Sequence, residues 1–198
     1  RAPQVLNSAH FRLNCGWHGL LMDGAPGATP NGACPNCLDL KPLLSAPDDA
    51  PVRLRQAFVT KENVNDLFAK MKVPESFDLL TVDIDGMDYW VLTGLNMGKF
   101  SPRVVAVEFS SYFSKDQVLV PKYNPKFLWR PPDVHGSSLA ALDALMRSRG
   151  YSYVAQIRGE HAIWVLNSSL HEKDRGKVQI PERVFDGWQS TGANFIPD

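Results

Sequence analysis

The sequence predicts an α/β fold: a mostly parallel sheet with helices on both faces, finished by a C-terminal antiparallel hairpin. Three observations carry this. The apolar runs Gly19 to Asp23, Leu54 to Val59, Phe77 to Asp83 and Val104 to Phe109 are near-continuous rather than alternating, as strands buried on both faces are. Segments between them repeat their apolar residues at the helical period. Tyr151 to Ile157 and His161 to Leu166, separated only by Arg158-Gly159-Glu160, read as a hairpin.

Residues 5 to 14 place Val5, Leu6, Ala9 and Leu13 among polar neighbours and fit a short amphipathic helix entered through Asn7 or Ser8. The strand Gly19 to Asp23 ends on an acid, and the stretch from Gly24 to Asn36, rich in glycine and proline, is loop. After the Leu54 strand, Thr60 is placed to cap a helix in which Val64, Leu67, Phe68 and Met71 form the stripe, and Pro74 stops it. Trp90, Val91 and Leu95 form the stripe of the next helix. Ser110 to Pro132 contains no periodic element, and connections of that length are usually functional or partner-bound. Ser137 or Ser138 opens a helix that buries Leu139, Leu142 and Leu145-Met146 and ends at Gly150. Residues 1–170 are expected to form the domain and 171–198 an irregular tail carrying Phe185, Trp188 and Phe195.

The 198 residues are 44% hydrophobic, enough for one globular core, and 21 Lys and Arg balance 21 Asp and Glu. A neutral chain has no global field for a nucleic-acid backbone or an anionic membrane. No apolar run reaches the roughly 18 residues of a spanning helix. Three cysteines do not make a disulfide scaffold, so an intracellular, reducing compartment is expected. The first residue is Arg1 rather than Met, which is compatible with processing after import into a chloroplast or mitochondrion, or with a longer chain.

In open parallel sheets ligands bind outside the carboxyl ends of the strands. The polar residues there are Asp23, Thr60, Asp83 with Asp85, and Glu108. Phe58-Val59-Thr60-Lys61-Glu62-Asn63-Val64-Asn65 and Asp78 to Trp90, with D-I-D-G-x-D-Y-W at its centre, resemble the core of the FkbM-related methyltransferases, as do Arg103 to Glu108 and Gly136-Ser137-Ser138-Leu139. The resemblance runs from about Leu6 to Leu166 and implies the Rossmann-like class I fold that uses S-adenosylmethionine.

Carried over from the family, Asp23 would hold the cofactor's ribose hydroxyls, for which an acceptor-only carboxylate is suited; otherwise it begins the turn at Gly24. Asp83 would orient the cofactor's amino-acid end or the substrate, and Phe58 would neighbour the adenine ring or belong to the core. Glu108 is placed as a general base or a substrate contact, or else as a partner for a helix end or an arginine. Asp83 and Glu108 are thus the candidate catalytic residues. Asp83, Asp85 and Asp88 also have the oxygen chemistry of a Mg²⁺ or Ca²⁺ site, although Asp85-Gly86 serves equally as a turn into a helix whose first turn favours Asp88.

One part of the family pattern is missing. The first strand and the glycine-rich loop that hold the cofactor's methionine portion would have to precede Val5, and Arg1-Ala2-Pro3-Gln4 cannot supply them. That strand is central in the family sheet, so without it the sheet would be split along two inner edges. Either the polypeptide extends upstream, another chain donates the strand, or the two halves close directly on each other.

Cys15-x₂-His18 and Cys34-x₂-Cys37 have the ligand spacing of a tetrahedral zinc site, with a Cys34–Cys37 dithiol or ordinary thiols as competing readings. His10, His135, His161 and His171 stand alone and read as structural or solvated. Lys122 to Arg130 interleaves cations with aromatics and suits a protein interface or substrate lid better than nucleic acid; the aromatic tail points the same way. The sequence therefore favours a methyltransferase-like accessory or structural subunit of a larger assembly. The alternative is an active S-adenosylmethionine-dependent O-methyltransferase whose cofactor loop lies upstream of Arg1.

Overall fold

The computed structural model describes residues 11, 14–24, 41–130, 136–157 and 160–180. The helix expected over 5 to 14 lies almost wholly outside them, as do most of the 24–36 loop, Cys34, Cys37, His10, His135 and the aromatic tail beyond 180. The residues fall into two compact units, one drawn from 1–59 and 63–73, the other from 60–62 and 74–198.

In the first unit β1 (Gly19–Asp23) pairs in parallel with β2 (Val52–Gln56), so that Asp23 lies opposite Gln56. A one-turn helix, α1 (Lys41–Leu44), precedes β2, and α2 (Val64–Lys70) follows it. Leu54 of β2 is buried, while Arg53 and Arg55 on either side take polar partners: Arg53 donates to the Met71 carbonyl at 2.9 Å, and Arg55 pairs with Asp48 at 2.7 Å. These bonds let a strand with alternating arginines form where an apolar run is absent. Thr60 does not cap α2. Asn63 occupies the cap position without a side-chain cap bond, and its side-chain Nδ2 donates to the Phe58 carbonyl at 2.9 Å.

The second unit holds β3 (Ser76–Val82), α3 (Asp88–Gly94), β4 (Ser101–Glu108), α4 (Leu139–Ser148), β5 (Tyr151–Ile157) and β6 (His161–Leu166). The sheet order is β3-β4-β6-β5. The β3–β4 pair is parallel, whereas β6 runs antiparallel to both β4 and β5. The expected single, mostly parallel sheet is therefore corrected: the described strands make two sheets, with two parallel and two antiparallel pairings. The physical reason is the hairpin. It forms the antiparallel end of the second sheet, as expected, with β6 against β4 and β5 outermost, and so supplies both antiparallel pairings.

The core of this unit is built from Val105 and Val107 of β4, Leu92 of α3, Leu142 and Met146 of α4, and Trp164 of β6, all fully buried. Several buried polar groups are matched. The Trp164 indole donates to Asp143 at 3.0 Å, Asp143 also accepts from Arg147 at 2.5 Å, and the Tyr151 hydroxyl donates to the Pro102 carbonyl at 2.7 Å. Arg149, just past α4, donates to the carbonyls of Leu92, Thr93 and Leu95, closing the C-terminal end of α3 where orphan carbonyls collect.

Ser138 is the N-cap of α4, with its hydroxyl accepting from the Ala141 amide at 3.2 Å and from the Leu119 amide at 3.0 Å. Its own amide donates to the Leu119 carbonyl at 2.9 Å. One hydroxyl thus starts a helix and fastens the long connection to it. Ser138→Ala is expected to lower unfolding stability by about 2 kcal/mol, one helix cap plus one further buried acceptor. Urea denaturation reads this directly, and a change no larger than the roughly 0.5 kcal/mol of an ordinary surface substitution would show that the hydroxyl carries neither load.

Candidate active site

Strand register assembles the site. Val82 lies opposite Val107 in the parallel β3–β4 pair, so the next residue of each strand path, Asp83 and Glu108, emerges at the same edge of the sheet. In the antiparallel β4–β6 pair Glu108 lies opposite His161, which brings a histidine far along the chain to that edge. His161 Nε2 is 3.1 Å from Asp83 Oδ2.

Asp85 reaches the same place through backbone geometry. It sits at φ 60°, with Gly86 at φ 133°, so the chain after β3 turns sharply through the left-handed region that Asp and Gly tolerate best. Asp88 holds that turn. Its carboxylate accepts from the Ile84 amide at 2.9 Å and from the Gly86 amide at 3.0 Å. Asp83, Asp85 and Glu108 each then present an oxygen within 4.8 Å of the others'. The converging acids are therefore these three, and not the Asp83, Asp85, Asp88 set that chain spacing suggests, because both Asp88 oxygens are committed to backbone amides.

The electrostatics follow from this crowding. Burial, then the Glu108 charge, and more weakly that of Asp83, push the Asp88 carboxyl up to about 7, against the pull of the Ile84 amide. The hydrogen bond that Asp83 accepts from it raises the His161 imidazole above its ordinary value, with burial opposing. Three acids facing one another with a single imidazole make an edge that attracts positive charge. A sulfonium, an ammonium group or a hard divalent cation all answer that chemistry.

The remaining sequence-predicted residues are placed as follows. Asp23 is exposed at the carboxyl end of β1, in the first unit. Phe58, in the same unit, is 47% exposed, lies past the end of β2 and is not a core residue. Cys15 and His18 are exposed, and the other half of the zinc set falls outside the described residues. Isolation was expected of His161, and the structure overturns it. The usable signal was the hairpin itself, since pairing its second strand with β4 places the residue after Glu160 beside Glu108.

A family model described as Methyltransferase FkbM domain matches residues 46–153. The chain belongs to the FkbM methyltransferase family. The match takes in Asp83, Asp85, Asp88 and Glu108 of the FkbM domain and leaves Asp23 and His161 beyond its two ends. No curated protein and no solved structure matches the chain.

Proposed function

We propose that this FkbM domain carries out S-adenosylmethionine-dependent methyl transfer to an oxygen acceptor at the edge formed by Asp83, Asp85, Glu108 and His161. The observation that carries the reading is the convergence itself. Gathering like charges around one turn, with a fully buried fourth carboxyl behind them, works against folding, and such arrangements concentrate where charge is used chemically.

The donor set suits the cofactor's polar parts. The carboxylates of Asp83, Asp85 and Glu108 match its ammonium and sulfonium charge. When bound, S-adenosylmethionine supplies an electrophilic methyl group on a positively charged sulfur. The chain's own contribution is to fix the imidazole and move a proton. Asp83 Oδ2, placed 3.1 Å from His161 Nε2, orients the ring and favours the proton on that nitrogen, leaving Nδ1 as the basic atom for the acceptor hydroxyl's proton. Glu108, opposite His161 in the register, is positioned to bind the acceptor or share that proton.

The test uses the full-length protein. Isothermal titration with S-adenosylhomocysteine is expected to give micromolar binding, weakened about tenfold or more by Asp83→Asn, since hydrogen bonds to charged groups contribute roughly 1.5 to 3 kcal/mol. Transfer of labelled methyl groups to hydroxyl acceptors is expected to rise with pH along a limb set by His161. That limb lies above the ordinary imidazole value of 6.5, because Asp83 stabilises the protonated ring, and it moves to lower pH in Asp83→Asn. A folded full-length chain that binds no S-adenosylhomocysteine would sink the proposal.

A second reading, an accessory subunit acting through a partner, is favoured by the apolar and basic side chains displayed between Val118 and Arg130. It predicts a partner-dependent phenotype in a chain with no affinity for the cofactor.

A further inference from the structure

Among the described residues the connection from Ser110 to α4 has no helix or strand, yet its middle is regular. From Val118 to Asn124 burial alternates residue by residue: Leu119, Pro121 and Tyr123 are half-buried, and Val118, Val120, Lys122 and Asn124 are exposed. That is the period of an extended strand. Each inward residue is fastened. Leu119 exchanges two hydrogen bonds with Ser138, the Pro121 carbonyl accepts from the Trp90 indole at 2.8 Å, and the Tyr123 hydroxyl donates to Glu62 while its ring meets Trp90 and the Lys61 ammonium.

The outward side has the opposite character. Among the described residues no hydrogen bond uses the backbone of Val118, Val120 or Lys122. Val118 is 68% exposed and Leu128 64%, more than a lone surface aliphatic needs. From Gln117 to Arg130 the sequence carries Lys122, Lys126 and Arg130 and no acid. A fastened, extended segment with open backbone groups, outward valines and one sign of charge is the template for adding a strand.

We propose that Val118–Asn124 is a docking edge for an extended acidic segment of a partner protein, which adds as a strand along Val118 and Val120 and sets its carboxylates against Lys122, Lys126 and Arg130. Backbone pairing supplies the ladder, the valines supply apolar contact, and the three cations choose the sign of the guest. The surface uses none of the residues of the acidic edge, so it stands whether or not methyl transfer occurs there.

Fluorescence anisotropy with a labelled peptide of alternating valine and glutamate tests this on the full-length chain. Saturable micromolar binding is expected, with loss of affinity as salt rises. Reversal of Lys122, Lys126 and Arg130 to glutamate is expected to weaken it about tenfold or more, and N-methylation of alternate peptide amides to abolish it. These three side chains are exposed, so the variant keeps its fold, which circular dichroism checks. Absence of binding, equal binding of a control peptide in which lysine replaces each glutamate, or indifference to N-methylation would each overturn the proposal. So would binding to phosphatidylserine-containing vesicles with none to the peptide, which would assign the surface to lipid.

Discussion

Gly94→Ala is expected to cost the second unit about 3 kcal/mol, the upper end of what forced overpacking typically costs. A Cβ built on Gly94 would stand 2.1 Å from the Lys61 carbonyl oxygen and 2.9 Å from the Lys61 Cα. Both obstacles are backbone, so no rotamer relieves the clash, and the 60–62 segment would have to retreat by about 1 Å. That segment is held by what surrounds it, with the Lys61 ammonium lying 5.1 Å from the Trp90 ring centroid and Glu62 accepting from Tyr123. Helix propensity argues the other way, since alanine is favoured over glycine inside a helix by about 1 kcal/mol. The steric term is the larger. Thermal melts followed by circular dichroism decide the matter, and a variant more stable than the parent would show that Lys61 and Gly94 do not approach as closely as described.

The second large effect is a pH dependence. Asp88 has a folded pKa of about 7 against 3.8 for the free side chain, so the folded state favours the protonated form. Its contribution to stability is complete below the unfolded value and is lost as pH rises towards 7, levelling off above. About three pKa units correspond to roughly 4 kcal/mol. Asp88→Asn removes this titration and carries instead a constant penalty, because its amide nitrogen must face the amide of Ile84 or Gly86. The gap in unfolding free energy between parent and variant is therefore expected to be widest near pH 4 and to close or invert by pH 8, as read by urea denaturation across that range. A gap that stays constant would mean that Asp88 ionises like an ordinary carboxylate.

Local rules read much of this fold correctly. β1 and both hairpin strands lie where their apolar runs place them, and Ser138 caps α4 as a serine ahead of an apolar period should. The failures have physical causes. β2 is shifted towards the N-terminus of its expected span because Arg53 and Arg55, invisible to an apolar count, find partners across the fold. α1 is a single turn and has no period to detect. At the candidate site, Asp83 and Glu108 were legible as strand ends. The exchange of Asp88 for Asp85 was not, since it depends on a left-handed turn and on which carboxylate the backbone amides capture. His161 required a strand pairing, information that lies between segments rather than within one.

The guanidinium of Arg149 that closes α3 has a consequence for how the chain is made. A ribosome emits Leu92 fifty-seven residues before the side chain that will bond its carbonyl. During synthesis the end of α3 therefore waits, its last carbonyls served by water, until β4, the long connection and α4 have all emerged. Completion of this helix marks the arrival of the whole unit, and a nascent chain stalled ahead of Arg149 leaves the tunnel with α3 frayed at its end.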